Sequence, residues 1–102
     1  MTITKTQESE KITLSLHGRL DTSTSPQLQD TLLPAFEEAQ QIELDLANLA
    51  YVSSAGLRVL LMGQKTANAK SASLTISNVP EDVMEVFDMT GFSNMLNIVD
   101  SK

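Results

Sequence analysis

From residue 11 to residue 17 apolar and polar positions alternate: Ile12, Leu14 and Leu16 share one side, and Thr13, Ser15 and His17 the other. That period of two is the signature of a half-buried strand. Residues 2–7 carry a weaker form of it, and Glu8-Ser9-Glu10 between the two runs suits a hairpin connection. Ile42, Leu44 and Leu46 alternate with Glu43 and Asp45, and Leu74 and Ile76 with Ser73, Thr75 and Ser77, predicting two more strands. A last, short strand is expected over residues 96–99. Between these runs the period lengthens to that of a helix. Thr24-Ser25-Pro26-Gln27 offers an N-cap hydroxyl, a first-turn proline and a capping-box Gln, and Leu28, Leu32, Ala35, Phe36 and Ala39 then form one stripe. Pro34 lies inside that stripe and removes a hydrogen bond to the Asp30 carbonyl, so a kink or break is expected there. A second helix is expected over residues 54–69 with Leu57, Leu60 and Leu61 inward. A third starts near Pro80, turns Val83, Val86 and Phe87 inward and stops at Gly91, with Phe92 folding back.

The order strand, strand, helix, strand, helix, strand, helix, strand is that of an α/β protein. A sheet covered on both faces would show continuous apolar strands, whereas these alternate. The prediction is therefore a four- to five-stranded mixed sheet with helices packed on one face. The other face, with Thr13, Ser15, His17, Glu43 and Asp45, is expected to be largely solvated. The third strand is expected to end before Tyr51, with a short turn leading into the second helix.

Composition narrows the function. The chain has 102 residues, 41% of them hydrophobic, enough for one small domain spanning 1–102 and too few for two. A net charge of −6 opposes binding to nucleic acid or anionic lipid. The absence of cysteine removes disulfides and thiolate chemistry and fits a reducing compartment. No apolar run approaches the ~20 residues of a membrane span, and the first residues lack a signal-peptide core. A cytoplasmic protein, monomeric or weakly dimeric and without cofactor or metal, is expected.

The candidate site is the start of the second helix, Ser53-Ser54-Ala55-Gly56-Leu57, where free backbone N–H groups favour negative charge. Ser53 or Ser54 either caps the helix or accepts a phosphate, and the small residues Ala55 and Gly56 leave the hydroxyl reachable. Asp21 and Thr22, beyond the second strand, either form an Asx turn or lie beside this serine. Arg58, Val59 and Met62 fall opposite the inward leucines, so they either pack on a neighbouring helix or belong to a docking surface. A hydrolase would need His17, Asp21 and Ser54 to converge, and Ser53-Ser54-Ala55-Gly56 is not a nucleophile elbow. Gly63-Gln64-Lys65-Thr66 lacks the earlier glycine of a phosphate loop, Arg58 standing in its place.

The run Asp45-Leu46-Ala47-Asn48-Leu49-Ala50-Tyr51-Val52-Ser53-Ser54-Ala55-Gly56-Leu57-Arg58-Val59-Leu60 resembles the signature of STAS domains, in particular the bacterial anti-sigma factor antagonists. Gly18-Arg19-Leu20-Asp21-Thr22-Ser23-Thr24 is similar to that family's turn before the first helix. The resemblance covers residues 3–99. It implies a STAS-like fold and a non-enzymatic protein that binds an anti-sigma factor serine/threonine kinase of the GHKL type. That kinase would switch it off by phosphorylation, with a PP2C-type phosphatase to reverse the step. Aligned on Gly56-Leu57, the family's acceptor serine falls on Ser54. The residue before it, often Asp in the family, is Ser53 here and a second candidate acceptor. Asp21, Thr22, Ser53, Ala55, Gly56, Arg58, Val59 and Met62 are the implied partner-binding positions. Family members commonly continue into a further helix, expected here to be short or absent. The alternatives are an unphosphorylated scaffold subunit of a transporter or signalling complex and, more remotely, a small serine hydrolase.

Overall fold

The computed structural model describes residues 1–99. β1 (Thr2–Glu8) and β2 (Lys11–Leu20) form a hairpin whose turn places Ser9 at φ 52°. There follow α1 (Ser25–Ala35), β3 (Gln41–Val52), α2 (Ser54–Ala69), β4 (Ser73–Ser77), α3 (Glu81–Thr90), a 3₁₀ turn at Phe92–Asn94 and β5 (Ile98–Val99). The five strands lie side by side in chain order, β1 antiparallel to β2 and the rest parallel, which is the mixed sheet expected. The C-terminal helix, expected to be short or absent, concerns positions outside the described residues. No helix among the described residues is long and apolar enough to cross a membrane.

Register explains the layering. Ile12 pairs with Ile42 and Ile42 with Leu74, while Leu14 pairs with Leu44 and Leu44 with Ile76, so the apolar rows line up across three strands on one face. Leu28 and Leu32 of α1, Leu60 of α2 and Val83 and Phe87 of α3 close over them, all at most 2% exposed. Each such side chain contributes about 1.5–3 kcal/mol by leaving water. Gly63 lets α2 lie close, since a Cβ there would stand 2.6 Å from Leu32 Cδ2. α3 ends as expected at Gly91, whose φ of 81° a side chain would resist.

The opposite face is less solvated than its alternation suggested. Thr13, Ser15, Glu43 and Asp45 are half-buried and Ser77 is fully buried, because the polar groups tie neighbouring strands together. Lys11 Nζ stands 2.8 Å from Glu43 Oε1, and the Ser77 hydroxyl donates to Glu43 Oε2 at 2.6 Å. The lysine and the hydroxyl hold the Glu43 carboxyl below its ordinary value, and Glu43 in turn raises Lys11.

Several local expectations are corrected or sharpened. β3 does not end before Tyr51 but runs on to Val52, pairing Asn48 with His17 and Val52 with Leu20. Two register shifts give β3 extra residues there, so its buried positions space out to Leu46, Leu49 and Val52, and the alternation that marks a strand disappears. The capping box of α1 is not made: Gln27 Nε2 donates instead to the Met1 carbonyl at 3.0 Å. Pro34 lies inside α1, which runs through it and ends one residue later at Ala35. β5 is shorter than expected, with Leu96 buried ahead of it.

Candidate functional site

Because β2 and β3 run parallel and end together, the starts of α1 and α2 lie side by side. The Ser53 N–H donates to the Leu20 carbonyl at 2.9 Å, joining the two strand ends directly above the helix starts. Asp21 is the next residue after Leu20, so the structure brings the Asp21 turn next to Ser53 and Ser54.

The two serines have different roles. Ser53 is the N-cap of α2, in extended backbone (φ −99°, ψ 175°), and its half-buried hydroxyl accepts the Gly56 N–H at 3.3 Å. Ser54 is the first helical residue. It is exposed, and its hydroxyl makes no hydrogen bond among the described residues. The first turn of α2 carries no acidic side chain to occupy the positive end of the helix dipole. Ala55 is half-buried, and Gly56 is buried because α2 presses onto the end of β2: a Cβ at Gly56 would meet Leu20 Cγ at 2.7 Å and the Leu20 carbonyl oxygen at 3.0 Å. Only a residue without a side chain fits that gap.

The neighbouring turn is fully engaged. Asp21 Oδ1 accepts the Ser23 N–H at 3.1 Å, the Ser23 hydroxyl at 2.9 Å and the Thr24 N–H at 3.1 Å, which is the Asx-turn reading of this segment. Thr24 accepts the Asp21 N–H at 2.8 Å and donates to the Arg19 carbonyl at 2.8 Å, so its hydroxyl does not cap α1. The Ser25 hydroxyl donates to the Asp21 carbonyl at 2.6 Å. The hydroxyl and N–H groups of Ser23 and Thr24 hold the Asp21 carboxyl below its ordinary value, against a smaller opposing effect of burial. Thr22, in contrast, is exposed.

Of the implied contact positions, Arg58 and Met62 are exposed, Met62 at 37%, and share the outer side of α2 with Ser54. Val59 is corrected: it is 4% exposed and belongs to the core, so its side chain is not on the outer side of α2. Gly56 likewise acts through packing, not through contact. Sequence reasoning gave no role to Arg19 and Tyr51. These two pair across β2 and β3, with the guanidinium 4.2 Å from the ring centre and 3.8 Å from Asp21 Oδ2. The bulged register that pairs them left no trace in the alternation. His17 stays on the open sheet face. The Asp21 carboxylate is turned to Ser23, Thr24 and Arg19, and neither it nor His17 makes a hydrogen bond to Ser54 among the described residues.

Comparison with known proteins agrees with this arrangement. The family model described as "Mlab, STAS domain" matches residues 3–99. The anti-sigma-B factor antagonist of Staphylococcus epidermidis is 32% identical over 82 residues, covering 79% of this chain and 76% of that protein. The anti-sigma-B factor antagonist of Bacillus subtilis is 27% identical over 92 residues, covering 90% and 84%. Among solved structures, the Bacillus anti-sigma factor antagonist SpoIIAA in its unphosphorylated form superposes with a TM-score of 0.77 at 16% identity, over 99% of this chain and 90% of that one. Its phosphorylated form gives the same TM-score at 17% identity, over 99% and 92%. These two likenesses concern the fold.

Proposed function

The chain belongs to the STAS family, and we propose that it is an anti-sigma factor antagonist that binds an anti-sigma factor serine kinase and is switched off when that kinase phosphorylates Ser54. The relatives named above support the antagonist role. The observation that carries the choice of residue is the contrast between the adjacent serines: Ser53 is committed to the Gly56 N–H, whereas the Ser54 hydroxyl is exposed and unengaged. In the transfer step the Ser54 oxygen forms a bond to the γ-phosphorus of ATP, the bond from that phosphorus to the bridging oxygen breaks, ADP leaves, and the hydroxyl proton passes to a base of the kinase.

The product suits its place. A phosphate carrying −1.5 to −2 charges at the first residue of a helix meets unpaired N–H groups and the positive end of the dipole, so the fold tolerates it. An interface packed against the same spot does not. A hundredfold loss of affinity takes only about 2.8 kcal/mol, within reach of repulsion and desolvation at one phosphate. Asp21 and Thr22 flank the serine and contribute to the same contact surface. No chemistry is asked of this chain beyond presenting a hydroxyl.

The test is incubation with ATP and a cognate anti-sigma factor serine kinase, followed by peptide mapping. Phosphate on Ser54 is the expected result. Phosphate on Ser53 would move the acceptor by one residue, and a bound but unmodified chain would favour a scaffold subunit. Ester hydrolysis lost on replacing His17 would revive the hydrolase.

A further inference from the structure

Among the described residues the lysines and arginines of this acidic chain divide into two sets. Lys5 stands 2.8 Å from Glu38, Lys11 2.8 Å from Glu43 and Arg19 3.8 Å from Asp21, and Lys70 pairs with Glu37. Arg58 and Lys65 make no ion pair among the described residues, and both are exposed on the outer side of α2. Successive residues turn by 100°, so Ser54, Arg58, Met62 and Lys65 fall within one sector of that helix, with the exposed Met62 between the two charges along the axis and at the edge of the sector. α2 carries no carboxylate at all, while α3 carries Glu81, Asp82, Glu85 and Asp88 and no cation. A basic, methionine-centred strip on a protein of net charge −6 is thus confined to the helix that begins with Ser54.

We infer that this outer face of α2 docks onto an acidic patch of the kinase partner, with Arg58 and Lys65 meeting carboxylates on either side of Met62. The inference rests on the function proposed above and adds the chemistry of the partner's surface. It also gives the phosphate a second effect. Ser54 and Arg58 stand at i and i+4, the spacing at which an acidic group N-terminal to a cation pairs best on a helix. A phosphate on Ser54 draws the Arg58 guanidinium onto itself and cancels the positive charge of the strip, so modification removes the attraction as well as adding a repulsion.

The experiment is titration calorimetry of the intact chain against a cognate anti-sigma factor serine kinase, at low and high salt. Reversing the strip with Arg58→Glu and Lys65→Glu together is expected to weaken binding at least about tenfold at low salt, and the difference should shrink as salt screens the charges. Reversing Lys5→Glu and Lys70→Glu changes net charge equally but elsewhere, and should leave affinity within about twofold. The neutral pair Arg58→Gln and Lys65→Gln, also at exposed positions, should fall between. If the strip reversal binds like the parent chain, or no worse than the Lys5 and Lys70 control, the docking face is overturned while the proposed function stands. If the parent chain itself does not bind the kinase, the proposed function falls and this inference with it.

Discussion

The molecule contains two helix starts side by side, built on the same plan and put to different use. α1 follows β2 and α2 follows β3, and each begins in a run of hydroxyl residues at the end of a parallel strand. At α1 the hydroxyls of Ser23, Thr24 and Ser25 are all consumed by Asp21 and the backbone around it. At α2 one hydroxyl, that of Ser53, caps the helix, and the next, that of Ser54, is left over. The lesson is that a serine at a helix start becomes a usable group only when its neighbour has already done the capping. The turn at α1, its polar groups engaged with one another, lies beside the open one at α2.

The largest expected effect breaks the contrast by charging the open site. Ser54→Glu should lower affinity for the kinase partner about a hundredfold, or about 2.8 kcal/mol, in a calorimetric titration. Its melting temperature should not fall, because a carboxylate in the first turn of a helix is favourable by about 0.3–1 kcal/mol. Next is the apposition of the two starts. Gly56→Ala puts a methyl 2.7 Å from Leu20 Cγ, and the forced shift should cost about 1–3 kcal/mol in urea unfolding. Smaller again is the division of labour between the serines. Ser53→Ala should lose about 1 kcal/mol as a removed cap, whereas Ser54→Ala should stay within about 0.5 kcal/mol and abolish phosphate incorporation. Equal losses for both would refute the assignment of roles.

The smallest effect separates the two starts by pH. The folded Asp21 carboxyl lies below its ordinary value of 3.8, held there first by the Ser23 hydroxyl and further by Thr24. Stability linked to a lowered carboxyl is fully present above the unfolded value and is lost as pH falls through the folded one. In an NMR titration the amide signals of Ser23 and Thr24 should therefore shift with a midpoint below 3.8, while those of residues 54–56 should not follow it. Asp21→Asn should remove that transition.

Most of the fold was legible because a buried face repeats at the period of its element. Ile12, Leu14 and Leu16, then Ile42, Leu44 and Leu46, marked their strands by period two, and the span of α2 over residues 54–69 was readable from its stripe and its serine start. The far half of β3 was not, since two bulges space Leu46, Leu49 and Val52 by three and imitate a loop. The candidate site was likewise proposed from a local pattern, a helix start rich in small residues and hydroxyls. Which serine was free could not be read, because that depends on Ser53 taking the Gly56 N–H. Nor could the burial of Val59, which follows from how α2 packs on the rest of the core.

The sequence by itself determined the element order, the one-sided core and the presence of two adjacent serines ahead of a helix, because these follow from local periodicity and local backbone needs. Only the tertiary structure decided that Asp21 and Ser53 are neighbours, that Arg19 lies over Tyr51, and that Arg58 and Lys65 make no ion pair among the described residues. Those facts depend on strand register and on which partners other charges find, and both are set by contacts between residues far apart in the chain.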